Sequence, residues 1–441
     1  MVTDTNTQSL SQILSYALGG DWGKDPSQQI EGYVPVKVIR GTEISKWNEN
    51  NISTAALRLI KKTSLDKRKL SPGDIVIEIS GGGPNQPVGR TILIDESVNN
   101  SDIPVVCSNF FRMMRLKNSV YPKYIKYALD YQYHSGEVNK YQTSSTNLRN
   151  LNFTNFIENV DVPDIDLRLQ KITADKIEEL ETLVWNALQK TQRVKRLVQK
   201  FRQAVLSTAV TGKLTEDWRE INTGNTLVSS EIKKDIFAPS KIDGWVTTTV
   251  GKLYKSFGGG TPNRSNPSYW NGKIPWVSSG DVKEDYISKG SETITQEGLT
   301  TSSANLCLIN SVIVVVRSGI LKHTLPVSIV KGHISINQDI KCFDSENEQL
   351  NYWLFLFLKG RAKHILLENR EGTTVQSVKY DTLKNLEIII PSFKEQKEIT
   401  SRVESFMRLA TQAENQIQEA EKRVDKLTQS ILAKAFRGEL L

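Results

Sequence analysis

Apolar positions recur along this chain with two different periods. Short stretches such as Val36 to Ile39, Ile75 to Ile79, Thr91 to Ile94, Ile313 to Val316 and Val327 to Val330 are alternating or wholly apolar. Clusters of Gly, Pro, Asn and Ser separate them, a pattern that predicts short strands joined by tight loops. Apolar helices are expected at YIKYALDY and YWLFLFLK. Two long stretches carry heptad spacing instead. Ile177, Leu180, Val184, Ala187, Thr191, Val194, Val198, Phe201 and Val205 alternate steps of three and four. Val403, Phe406, Ala410, Ala413, Ile417, Ala420, Val424, Leu427 and Ile431 repeat those steps 226 residues later. Such steps lay one apolar stripe along a helix, and stripes of this kind pair as a coiled coil. About 40 helical residues at ~1.5 Å each would span roughly 60 Å.

The doubling extends beyond the helices. Asn109 and Asn337, Tyr124 and Tyr352, Thr146 and Thr374, and Pro163 and Pro391 are each 228 residues apart. Upstream, LSPGDIVIEISG (70 to 81) answers LINSVIVVVRSG (308 to 319), and YVPVKVIRGTEI answers KIPWVSSGDV, at an offset of about 238 to 240. The chain is therefore expected to repeat one fold twice, with little shared identity and different surfaces. The predicted class is α+β: two similar domains at 1–165 and 241–390, long helices at 166–212 and 391–441, and a polar linker at 213–240. With the helices antiparallel, residue 172 lies opposite 438, so 190 to 202 faces 420 to 408, a stretch holding Glu414 and Glu419.

Charge and cysteines narrow the reading. The net charge is +8 over 441 residues, and residues 166–215 alone carry 10 Lys+Arg against 5 Asp+Glu. A polyanion is a plausible partner for such a segment. Cys107, Cys307 and Cys342 are widely spaced in apolar contexts, which predicts buried thiols and excludes a CxxC site. His134, His323, His333 and His364 show no metal-ligand spacing. Apolar runs fall far short of the ~20 residues of a bilayer helix, and the opening residues resemble no secretory signal, so a cytoplasmic protein without metal or bound cofactor is expected. Phe257 to Gly260 and Asn266 to Tyr269 weakly resemble methyltransferase motifs, but they nearly touch and lack the strand, loop and helix context of a cofactor site. Intrinsic catalysis is not expected.

The stretch GWVTTTVGKLYKSFGGGTPNRSNPSYWNGKIPWVSSGDV, with PSFKEQKEI and the closing ILAKAFRGEL, resembles the specificity subunit of type I restriction-modification systems. The order of GGGTP, IPW-x3-D, P-x3-EQ-x2-I and AFRGEL carries the likeness, which covers nearly the whole chain. The first copy departs from it, with Asp21-Trp22 after Gly20 and Leu169-Gln170 in place of Glu395-Gln396. The resemblance implies two target recognition domains, each reading half of a split site in double-stranded DNA. It also implies docking of two methyltransferase subunits on the helices and recruitment of a motor-nuclease subunit. A coiled-coil scaffold that binds only protein is the alternative, and it accounts less well for two domains that repeat a fold while their loops diverge.

Base readout needs hydrogen-bonding side chains on loops, while other donors fix phosphates. The candidates in the first domain are Lys24, Arg40, Thr42, Ser80, Asn85, Gln86, Ser145, Thr146 and Asn147. In the second they are Thr261, Asn263, Arg264, Ser278, Ser279, Asp281, Arg317, Ser318, Thr373, Thr374 and Gln376. Each taken alone reads more simply as a solvated loop residue; the set is better supported, because equivalent loops in both copies are polar, glycine-rich and unlike in sequence. Tyr269, Trp270 and Trp276 are expected to anchor loops rather than stack on DNA.

Overall fold

The computed structural model describes residues 6–44, 46–83, 86–145, 148–222, 236–369 and 377–440. The chain is α+β and divides into two compact units, Met1–Gln192 with Gln418–Leu441, and Arg193–Ile417.

In the first unit an antiparallel sheet orders its strands Leu14–Gly19, Phe111–Leu116, Ile75–Glu78, Thr91–Leu93. A second sheet joins Ala56–Lys61, Tyr33–Ile39 and Val105–Cys107, the last two parallel. A hairpin, Gln142–Ser145 with Leu148–Leu151, adds Ser80–Gly82 as its third strand. The second unit repeats the order: Lys255–Gly258, Ile340–Asp344, Val312–Val315, Val327–Val330, with Tyr286–Ile287 added at the edge. Its second sheet holds Trp270–Val277 parallel to Ile334–Ile336. Val312 to Val315 are fully buried, which is why this strand reads as a continuous apolar run instead of an alternating one.

Hydrogen bonds fix the equivalence of the two copies better than residue identity does. Asp21 N donates to Cys107 O at 2.9 Å, and Gly260 N donates to Ile336 O at 3.0 Å. Phe111 N donates to Ser108 O and Ile340 N to Asn337 O. Ser108 is therefore the counterpart of Asn337, and Asn109 of Gln338, an offset of 229 and not 228. The Pro163 and Pro391 match also slips: Gln170 Nε2 reaches Ile165 O and Gln396 Nε2 reaches Pro391 O, both at five residues' distance. Loop lengths differ between the copies, so chance identities pulled the sequence register by one or two residues.

The long helices run Leu167–Val210 and Phe393–Phe436, and each contributes one part to each unit. They are built into the cores instead of standing as separate spacers. Ala174 and Ile177 lie in the first unit's main cluster with Ile431, Leu432 and Ala435, and Leu180 and Val184 pack against it. Val205 and Val403 lie in the second unit's cluster, against which Phe406 packs. Val198, Ala410 and Ile417 form a small cluster of their own. Phe201 meets Phe406 edge-on at 5.9 Å between ring centroids. Within the second unit Arg202 grips Glu414 at 2.8 and 3.1 Å, and within the first Gln192 bonds Glu421 at 2.7 Å. These contacts run antiparallel inside each unit. Val424 is buried at 8% exposure, but Val194 and Leu427, also expected in the stripe, are 43% and 50% exposed. Helix-helix contact is narrower there than the heptad pattern implies.

The expected linker begins later than residue 213. Gly212 takes a left-handed φ of 75° that ends the central helix, and Glu216–Ile221 forms a further helix. Arg402 then binds Leu214 O and Asp217 at 2.9 and 2.7 Å.

One half-buried charge cluster predicts a pH effect. Lys126 pairs with Asp130, which accepts from Thr91 Oγ1 at 2.8 Å. Burial pushes the nearby Glu181 carboxyl above its ordinary 4.5, against the pull of Lys126. A carboxyl that binds its proton more tightly when folded contributes stability at low pH and loses it as pH rises through the folded pKa. Glu181→Gln is therefore expected to raise the thermal midpoint at about pH 8 and to change it little near pH 4. Equal effects at both pH values would contradict this.

Candidate nucleic-acid interface

Three loops meet at one edge of the main sheet in each unit, and backbone geometry holds them there. The first is glycine-rich. A Cβ on Gly20 would stand 2.2 Å from Cys107 O and Ser108 O, and one on Gly259 would stand 1.9 Å from Ile336 O. Only glycine permits so close an approach. The second loop leaves the central strand: Ile79 N and Ser80 N both donate to Phe110 O, and Val316 N and Arg317 N both donate to Asp339 O. The third is the turn those bonds reach, Ser108 to Phe110 in one copy and Asn337 to Asp339 in the other.

A fourth segment follows each parallel strand and is closed by an acid. Glu43 accepts from Arg40 N at 2.8 Å, from Arg40's guanidinium at 2.9 and 3.1 Å, and from Thr42 and Thr54. Asp281 accepts from Ser278 N at 2.8 Å, Ser278 Oγ at 2.7 Å and Ser291. Burial opposes the charge on both carboxyls, but these hydrogen bonds outweigh it and hold them below the usual carboxylate range. The acids fix the loops and have little capacity left for a ligand.

The same test sorts the other candidates. Arg264 is clamped by Glu292 at 2.5 and 2.8 Å and lies over Trp270 at 3.9 Å. Trp270 Nε1 donates to Asn263 O, and Trp276, 3% exposed, donates to Gly260 O at 2.9 Å. These groups brace the glycine loop, the anchoring role expected of the tryptophans. Asn263 accepts from Ser265 N, and Ser318 caps the short helix Gly319–Lys322. Arg317 stays open, its side chain 72% exposed and 3.9 Å from Asp339. Ser279 lies partly covered in the loop between Ser278 and Asp281.

In the first unit Ser80 donates to Asn150 at 2.5 Å and so ties the second loop to the hairpin that carries Ser145. Lys24 is exposed beside Leu59, to which its backbone is bonded both ways, and Gln86 is exposed beyond a bridge to Gly83. Arg58 stacks over Trp22 at 4.6 Å. Asn85, Thr146, Asn147, Thr373, Thr374 and Gln376 lie outside the described residues.

Two exposed side chains on this rim, Asn109 and Gln338, were not among the sequence candidates. Cys107, Cys307 and Cys342 are buried free thiols, and burial pushes Cys107 up to about 12. Among the described residues no group of three or more His, Cys, Asp and Glu is placed to hold a metal ion, and no helix is long and apolar enough to cross a membrane.

Residues 242–422 match the type I restriction modification DNA specificity domain. Over 423 residues the chain is 25% identical to the StySPI specificity subunit of Salmonella potsdam, covering 93% of this chain and 83% of that one. It is 24% identical to the EcoKI specificity subunit of Escherichia coli K12, with the same coverage. A 160-residue part is 32% identical to the EcoR124I/EcoR124II specificity subunit of Escherichia coli, covering 36% and 40%. Among solved structures, a chain from a study of type I R-M complex assembly and conformational transition matches with a TM-score of 0.65 at 15% identity, over 100% of this chain and 99% of that one. The HsdS subunit of Thermoanaerobacter tengcongensis matches with 0.53 at 16% identity, over 98% and 97%. Both structural likenesses concern the fold.

Proposed function

We propose, on the premise that this chain is a specificity subunit of a type I restriction-modification system, that each unit reads one half of a bipartite DNA site. The observation that carries this is the double loop edge: the same three loops converge in both units through the same backbone bonds, with unlike side chains on their rims. One scaffold used twice with different surfaces suits duplex DNA, whose approximate twofold symmetry accommodates two unlike half-sites. The long helices, antiparallel within each unit, set the unread gap. Their exposed Leu183, Leu197 and Leu409 offer apolar surface to two methyltransferase subunits, which supply the chemistry, and a motor-nuclease subunit completes the complex in the cytoplasm. The chain itself recognises and does not catalyse.

The test uses the chain purified with the methyltransferase subunits of its own system. Gel retardation and methylation mapping should find one sequence of two short halves at fixed spacing. Binding should weaken steeply with salt, because Lys and Arg release counterions from phosphate. No retardation of any DNA would favour the protein-binding scaffold, and equal retardation of all DNA would overturn sequence-specific reading.

A further inference from the structure

The loops of the two units are unlike in sequence, so a feature that both keep at the same point of the rim is informative. The backbone bonds place Asn109 and Gln338 at that point, at the apex of the turn between a buried parallel strand and the next strand of the main sheet. Their flanking residues are unlike: Ser108 and Phe110 in one copy, Asn337 and Asp339 in the other. The apex residue is a carboxamide in both, and exposed in both.

The turn is also rigid in both copies. Its start is pressed against Gly20 or Gly259, where no side chain fits, and its end accepts two backbone N–H groups from the neighbouring loop. A base-reading group requires this, because a side chain on a wandering loop loses its binding energy to ordering. In the second unit Thr261 Oγ1 donates to Gln338 Oε1 at 2.6 Å, which restrains the amide and still leaves the oxygen's second lone pair and the two N–H donors. Asn109 makes no side-chain hydrogen bond among the described residues. Of the other loop candidates, Arg264 is engaged with Glu292 and Ser80 with Asn150, while Arg317 stays open.

A carboxamide offers one acceptor and one donor side by side, and in the major groove adenine alone presents the complementary N6 donor and N7 acceptor on a single base. We propose that Asn109 and Gln338 each read one adenine, in the first unit's and the second unit's half-site respectively. This rests on the bipartite reading above and adds to it two specificity-determining residues.

The experiment uses the full chain in complex with its methyltransferase subunits, and compares Asn109→Asp and Gln338→Glu with the parent. A carboxylate accepts from the cytosine amino group and cannot donate to adenine N7. Each variant should therefore shift one base pair of its own half-site from adenine towards cytosine, changing the ratio of methylation rates roughly tenfold to a hundredfold. A new preference cannot arise from misfolding. Alanine at either position should relax the same base pair without selecting another base. Variants of both kinds that retain the parental site, or that change a position in the opposite half, overturn the proposal while leaving the bipartite reading intact. A parental complex with no bipartite site overturns that reading as well.

Discussion

Exchanging residues 1–165 for the corresponding domain of another such subunit is expected to replace one half of the recognised site and leave the other half unaltered. Specific protein–DNA complexes bind their site about a thousandfold or more tighter than other DNA, so the hybrid should abandon the parental sequence by a factor of that order. Methylation mapping of cells carrying the hybrid gives the answer directly. The structure adds a condition on the graft. Ala174 and Ile177 of the central helix, with Ile431 and Leu432 of the C-terminal helix, belong to the first unit's core. A donor domain must present a surface that fits them, or the exchange leaves a cavity costing about 2–5 kcal/mol per lost large side chain. A stable hybrid that changed both halves, or neither, would show that the units do not divide the reading.

Glu395→Ala is expected to destabilise residues 193–417 by about 3–5 kcal/mol. Its carboxylate is 3% exposed and accepts from Arg219 Nη1 at 2.5 Å, Thr215 Oγ1 at 2.7 Å and Trp245 Nε1 at 2.8 Å. Removing it leaves the indole N–H of Trp245 without its partner and a largely buried guanidinium without its counter-charge, although Arg219 keeps its bonds to Gly212 O and Thr215 Oγ1. Calorimetry should find the melting transition of this unit lowered by on the order of 10 °C. Lys255→Ala, which removes an exposed pair with Glu346 in the same unit, should shift it little. Similar shifts in the two variants would refute the structural role given to Glu395. Glu395 thus joins the start of the C-terminal helix to the segment that follows the central one.

Periodicity made the long helices and the doubled architecture legible. Ile177, Val198, Val205, Val403, Ile417 and Val424 are buried as their heptad positions require. Val194 and Leu427 are not, because an apolar residue at the right spacing is buried only where its neighbour helix comes close. The loop edge was legible as a set of polar, glycine-rich segments, but not in its internal bonding. Nothing in the order of residues tells that Arg264 is held by a glutamate 28 positions away, or that Asp281 closes its own loop. Identity pairs Asn109 with Asn337, whereas the backbone bonds pair it with Gln338. A one-residue slip in a turn leaves the hydrophobic pattern unchanged, so only the strand ladder exposes it.

In each unit the strand that opens the sheet-bearing part is bonded to the strand that closes it. Thr7–Ser9 pairs antiparallel with Asp161–Pro163, and Val246–Thr249 with Glu387–Ile390. The backbone therefore leaves each unit beside the point where it arrived, and well over a hundred residues add contour length without displacing the path of the chain. A loop can lengthen, shorten or change composition, and the strand that launches the long helix still departs from the same place in the same direction. Variation in what is read is thereby mechanically uncoupled from the scaffold that carries it.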